Sequence, residues 1–225
     1  MIEASSVDPV AAVLATGIAV AVFLLKAGGA WVVRQRAELS AVPDAALERW
    51  RASERALGLD GRVRYRVRTD IDGVAAMTGG ATPFQPTVFV SEAVLTDLTP
   101  TEQTAVITHE LAHVRSRHIL RRALLSAIAI GGITYVLASL SGIPLLLFLV
   151  AFFGRSYELI RQEYEADTLA AQATSPEAVA SGLWAVATGQ GTVGDYSRIT
   201  AVLTMRPSIP DRIRRLSALQ AEHAG

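Results

Sequence analysis

Two stretches of the chain lack the polar positions that a water-facing element needs. Between Asp8 and Arg34 the only charge is Lys26, and the run from Val10 to Val33 is long enough to cross a hydrocarbon core of about 30 Å at about 1.5 Å per residue. It predicts a transmembrane helix, with a buried helix of a water-soluble domain as the alternative; Lys26 is tolerated because its long stem can reach an interface. A cleaved signal peptide would open on a basic segment, whereas Glu3 and Asp8 stand here and no Lys or Arg precedes position 26. The second stretch, Ala123 to Gly154, carries no charge, is bracketed by Arg121, Arg122 and Arg155, and is broken by Gly142 and Pro144. One helix of that length would run about 48 Å, too long for a simple span, and two of about 15 residues would each be slightly short. This pattern leaves the number of crossings open.

Between and after these stretches the periodicities are those of a water-facing unit. Ala45 to Leu57 has helical spacing and stops at Gly58, while Arg62 to Arg68 alternates strictly, with Val63, Tyr65 and Val67 on one face and arginines on the other. A Gly-containing stretch, Gly73 to Gly80, leads to a second strand at Thr87 to Val90. Thr99-Pro-Thr-Glu102 is a capping box with proline at the first helical position, so a helix begins at Pro100. The predicted class is α+β, mainly helical, with a small antiparallel sheet and transmembrane helices.

Composition narrows the function classes. Of 225 residues 51% are hydrophobic and 19% charged, 21 basic side chains balance 21 acidic ones, and there is no cysteine. A neutral chain with mean hydropathy +0.34 is neither disordered nor a basic nucleic-acid binder. Lack of cysteine excludes disulfide scaffolds and thiolate zinc fingers. Arg34, Arg36, Arg49, Arg51 and Arg55 follow the first apolar run and no basic residue precedes it, which places the N-terminus outside and the bulk of the chain in the cytoplasm.

The chemistry sits on the capped helix. His109-Glu-Leu-Ala-His113 is an HExxH pattern: histidines at i and i+4 share one face and can bind one zinc ion, with Glu110 beside them. A catalytic zinc site uses three protein ligands and leaves a position open. His118 is a poor third ligand, because five residues of continuous helix rotate it about 140° from His113, and His223 lies in the C-terminal tail. In Glu163-Tyr-Glu-Ala-Asp167, Glu163 and Asp167 share a helical face and Glu165 points elsewhere. Glu163 is then the third ligand, and Asp167 can accept a hydrogen bond from the far nitrogen of a ligating histidine. Ligands on both sides of Ala123 to Gly154 must meet on one side of the bilayer, so that stretch cannot cross an odd number of times. It is expected to be a hairpin turning near Ser139 to Pro144, crossing twice or dipping in, with Arg121, Arg122 and Arg155 anchoring its ends.

Taken together, these motifs resemble the HtpX and CAAX-prenyl-protease family of integral-membrane zinc metalloproteases. The resemblance runs over most of the chain, to the stretch Pro207-Ser-Ile-Pro-Asp-Arg-Ile-Arg-Arg-Leu216. It implies a gluzincin-type catalytic domain holding one Zn2+ on His109, His113 and Glu163, with Glu110 as general base on the zinc-bound water. The family usually has a histidine before the proline of the C-terminal stretch, implicated in stabilising the oxyanion. Here Arg206 stands there, either as a guanidinium that donates to the oxyanion or as a surface arginine before a helix capped by Ser208 and Asp211.

The expected organisation is a membrane anchor at 1–35, a catalytic domain in two parts at 36–122 and 155–225, and a membrane hairpin at 123–154. The expected activity is hydrolysis of membrane or misfolded proteins at the cytoplasmic face. Peptide or membrane-protein substrates and the bilayer are its partners, nucleic acid is not, and the substrate backbone adds to an edge strand at Val74, Ala75, Ala76, Met77 and Thr78. Two other classes remain: a zinc-binding membrane sensor or adaptor without turnover, and a channel or scaffold in which HExxH is incidental.

Overall fold

The structure, a computed structural model, describes residues 8–80, 85–138, 144–189 and 198–224. Helix α1 (Pro9–Ala27) starts where Asp8 Oδ1 accepts the backbone N–H of Val10 and Ala11, at 2.9 and 3.2 Å. It ends at Gly28 and leads into α2 (Gly29–Arg36). Strand β1 (Leu39–Ser40) and helix α3 (Asp44–Ala56) follow, then β2 (Arg64–Arg68), β3 (Ala76–Gly79) and β4 (Thr87–Ser91). The rest is helical: α4 (Glu92–Thr96), α5 (Pro100–Arg115), α6 (His118–Ala138), α7 (Pro144–Ala173), α8 (Pro176–Gly189), α9 (Arg198–Thr204) and α10 (Ile209–Ala224).

The sheet has the order β1-β2-β4-β3 and is mixed, not antiparallel as expected, because β2 pairs parallel with β4. The reason lies in β4, all five of whose residues are buried. A strand covered on both faces takes a central position, so β4 inserts beside β2, and β3, with only partial burial, is left on the edge. β2 keeps its predicted alternation, with Tyr65 and Val67 buried and Arg64 and Arg66 exposed. The buried Glu54 of α3 accepts from Val63 N–H at 3.0 Å and Tyr65 O–H at 3.2 Å, tying that helix to the strand beside the fully buried Trp50. Ile107 and Leu111 of α5 pack into the same core, so the HExxH helix lies on the sheet.

α1 and α6 are long and apolar enough to cross a membrane. They pack on each other through small residues: a side chain at Gly131 would begin 2.8 Å from Ala19 Cβ, and Ala27 clusters with Ala123. That close approach is the usual device for helix association in lipid, where apolar burial supplies no net drive. Val10, Val13, Leu14, Leu24 and Leu25 of α1 stay more than half exposed, an apolar surface suited to lipid contact. The expected turn at Ser139 to Pro144 falls, up to residue 143, outside the described residues.

Candidate metal centre

α5 is held at its start by the predicted capping box: Thr99 Oγ1 accepts from Glu102 N–H at 3.3 Å and Glu102 Oε2 accepts from Thr99 N–H at 2.9 Å. Two turns on, His109 and His113 present their Nε2 atoms to Glu163 of α7, each 3.6 Å from one of its carboxylate oxygens. One ligand atom from each of the three residues lies within 4.8 Å of the others. A tetrahedral ion with bonds of about 2.0–2.1 Å keeps its donors about 3.4 Å apart, so this donor set fits zinc in both chemistry and spacing.

Burial and neighbouring charges shift each of the three groups. Burial opposes a charged His109, yet hydrogen bonds to Asp167 and Glu163 raise it to about 9. His113 is pushed well below its ordinary value by burial and by the charge on His109, which leaves it a neutral donor. Burial pushes Glu163 up, but His109 and Arg212 hold it well below the usual carboxylate range. A divalent ion bound here would take the place of the proton that these hydrogen bonds favour on His109.

The outer groups complete the arrangement. Asp167 Oδ1 lies 2.9 Å from His109 Nδ1, as its shared face with Glu163 suggested. Glu110 receives the Thr78 hydroxyl on its Oε2 at 2.6 Å, which links it to edge strand β3. A cleft of about 540 Å3 opens beside these groups and is lined by Ala76, Met77, Thr78, Glu110, Arg206 and Arg212, among others. Val74 and Ala75 precede β3 instead of belonging to it: Val74 is buried in the core, and Ala75 is bound through both N–H and C=O to Ser91. Ser208 Oγ accepts Asp211 N–H at 3.2 Å at the start of α10.

Three placements escaped the sequence. His118 is not turned away from His113, because the helix breaks at Ser116 and Arg117, the latter with φ of 55°, and restarts at His118. Its Nδ1 comes to 2.7 Å from His113 Nδ1. Arg122, expected at the membrane surface, turns inward and donates to Glu163 Oε1 at 2.9 Å and to Gln162 at 2.6 Å. Arg212 of α10 forks onto Asp167 through Nε and Nη2 at 2.7 and 2.6 Å, and lies 3.4 Å from Glu163. Arg212 is one of three arginines at 212–215, and nothing local distinguishes it from its neighbours.

A family model for peptidase family M48 matches residues 52–220. The chain belongs to peptidase family M48. Its fold agrees: the crystal structure of S. mikatae Ste24p superposes with a TM-score of 0.66 at 15% identity, over 88% of this chain and 55% of that one. This M48 chain thus spans about half the length of that relative. No curated protein matches its sequence. The M48 match runs from the end of α3 to α10 and includes every group of the centre, with α1 and α2 lying before it.

Proposed function

We propose that this M48 chain is a membrane-bound zinc endopeptidase that cleaves membrane or misfolded proteins at the cytoplasmic face. The observation that carries this reading is the convergence of His109 Nε2, His113 Nε2 and Glu163 beside a Glu110 held by the edge strand. His109, His113 and Glu163 would hold the zinc, which would supply polarisation of the scissile carbonyl and a lowered pKa for water. Glu110 takes a proton from the attacking water and passes it to the leaving amine. Ala76 to Thr78 offer the extended substrate a strand partner on the cleft, and Arg206 donates to the developing oxyanion.

Membrane substrates fit the position of the edge strand. Gly79, at the end of β3, abuts Ala30 of α2, whose Cβ lies 3.2 Å from where a side chain would start. Substrate backbone laid along β3 is therefore next to the foot of the first apolar helix. In this reading 1–35 anchors the chain, 123–154 forms the membrane hairpin, and 36–122 with 155–225 make the catalytic unit.

The test is the Glu110→Gln protein, which keeps the ligands and removes the base. It is expected to hold one zinc per chain and to lose chelator-sensitive cleavage of unfolded membrane protein. Cleavage at the parent rate would overturn the mechanism. A parent that holds zinc and cleaves nothing would be the sensor or adaptor instead, the reading that Arg206 in place of histidine favours.

A further inference from the structure

We infer that His118 is the positioning residue for the zinc ligand His113, an inference that rests on the zinc site of the proposed function. The argument begins with backbone cost. α5 ends at Arg115, Ser116 N–H returns to Ala112 C=O at 3.0 Å, and Arg117 enters the left-handed region at φ 55°. A non-glycine residue there costs about 1 kcal/mol. An uninterrupted helix would have avoided that cost and put His118 about 140° away from His113.

The break brings His118, fully buried, against the ligand ring: Nδ1 to Nδ1 is 2.7 Å, and the ring centroids are 4.9 Å apart at 64°. Two imidazole nitrogens at that distance share one proton. His113 Nε2 faces the metal point and must offer a lone pair there, so the proton of a neutral His113 sits on Nδ1 and His118 Nδ1 accepts it. The remaining proton of His118 is then on Nε2, which faces Glu165 Oε2 at 3.5 Å, a charge contact longer than a good hydrogen bond. Glu165 is in turn set by Arg121 and Arg161, at 3.8 and 3.6 Å.

Each ligand histidine thus has its own backing at Nδ1: Asp167 for His109, His118 for His113. The two differ in charge. Asp167 is a carboxylate compensated by Arg212, whereas a neutral imidazole fixes the tautomer and ring angle of His113 without adding another anion to a pocket that already holds Glu110, Glu163 and Asp167. Outer partners of this kind typically change metal affinity 10- to 100-fold.

Zinc affinity, measured by chelator competition on the purified full chain, separates an acceptor role from simple filling of space. His118→Leu keeps the volume without the acceptor and is expected to raise the zinc Kd about 10- to 100-fold. The thermal midpoint of the chelator-treated variant separates this loss of affinity from any loss of fold stability caused by the unpaired His113 N–H. His118→Asn puts an amide oxygen near the Nδ1 position and is expected to stay within about threefold of the parent. The visible bands of the cobalt-substituted protein should shift in the leucine variant and not in the asparagine one. If His118→Leu does not fold, His118→Gln, whose amide lies beyond that position, takes its place with the same expected weakening. Parent-like zinc affinity in the leucine or glutamine variant overturns the inference, as does equal weakening with asparagine. A parent that binds no stoichiometric zinc overturns the proposed function, and this inference with it.

Discussion

The clamp between Arg212 and Asp167 supports a quantitative prediction. Arg212 reaches from α10 to α7 with both donors on one carboxylate, and the two side chains are only 10% and 3% exposed. Burial pushes the Asp167 carboxyl up, and the Arg212 charge overrides it, holding it at about 2. Replacing Arg212 with methionine leaves a buried carboxylate whose remaining partner is His109. Removing one member of a buried pair costs about 3–5 kcal/mol. For a chain of this size each kcal/mol moves the thermal midpoint by about 2–4 °C, so the chelator-treated variant should melt roughly 6–20 °C lower. Chelation keeps any change in zinc binding out of the comparison. Asp167→Asn should cost less, because the amide oxygen still accepts from the guanidinium. In the double variant the methionine faces a neutral amide, and much of the loss should return as a coupling of at least about 1 kcal/mol. Additivity of the two single changes to within about 0.5 kcal/mol would show that the fork contributes no pairwise energy and would refute the reasoning.

Three further outcomes follow from particular contacts. Thr78→Val removes the hydroxyl on Glu110 and should lower kcat about tenfold, equivalent to about 1.4 kcal/mol, with KM unchanged and Thr78→Ser restoring the rate; a change confined to KM would place Thr78 in substrate binding alone. Gly131→Leu should overpack the α1–α6 contact and cost about 1–3 kcal/mol in detergent, whereas Gly132→Leu, with nothing within 4 Å, should leave the melting temperature unaltered. The Ser181 hydroxyl donates to Glu102 Oε1 at 2.7 Å and, ahead of the Thr99 contacts, lowers that carboxyl from 4.5. A depressed carboxyl stabilises above its unfolded value and loses that contribution as pH falls, so the stability difference between parent and Ser181→Ala, about 0.5 kcal/mol at pH 7 for a solvent-screened contact, should shrink progressively below pH 4.5.

How far the sequence reaches depends on the range of each interaction. The capping box, HExxH and the shared face of Glu163 and Asp167 are set within one or two turns of a single helix, and all three are where the spacing puts them. The sheet is non-local, and alternation in Arg62 to Arg68 says nothing of which strand lies beside it. The run Val88-Phe89-Val90, apolar on both faces, was the available sign that β4 is central. Helical spacing puts His118 on the wrong face because the break at Arg117 carries neither glycine nor proline, the residues that ordinarily mark one. Arg122 and Arg212 are legible only through partners 41 and 45 residues away along the chain.

The antiparallel pairing of α1 and α6 bears on the number of crossings. Ala27 meets Ala123 and Ala19 meets Gly131, so partners sum to 150 and Ala138, the last residue of α6, is level with Ala12 near the start of α1. If α1 crosses from Asp8 to Lys26, a rise of about 27 Å, then α6 reaches within roughly 6 Å of the same far surface. A shallow dip is inconsistent with that depth, and the hairpin should traverse the bilayer. The chain has no cysteine, so single cysteines report cleanly. In sealed vesicles a membrane-impermeant maleimide should label Ser5→Cys and Ser141→Cys from one side, and Glu48→Cys, on the exposed face of α3, only from the other. Labelling of Ser141→Cys from the side that labels Glu48→Cys would show that the hairpin turns back before the far surface, and that the α1–α6 pairing does not measure its depth.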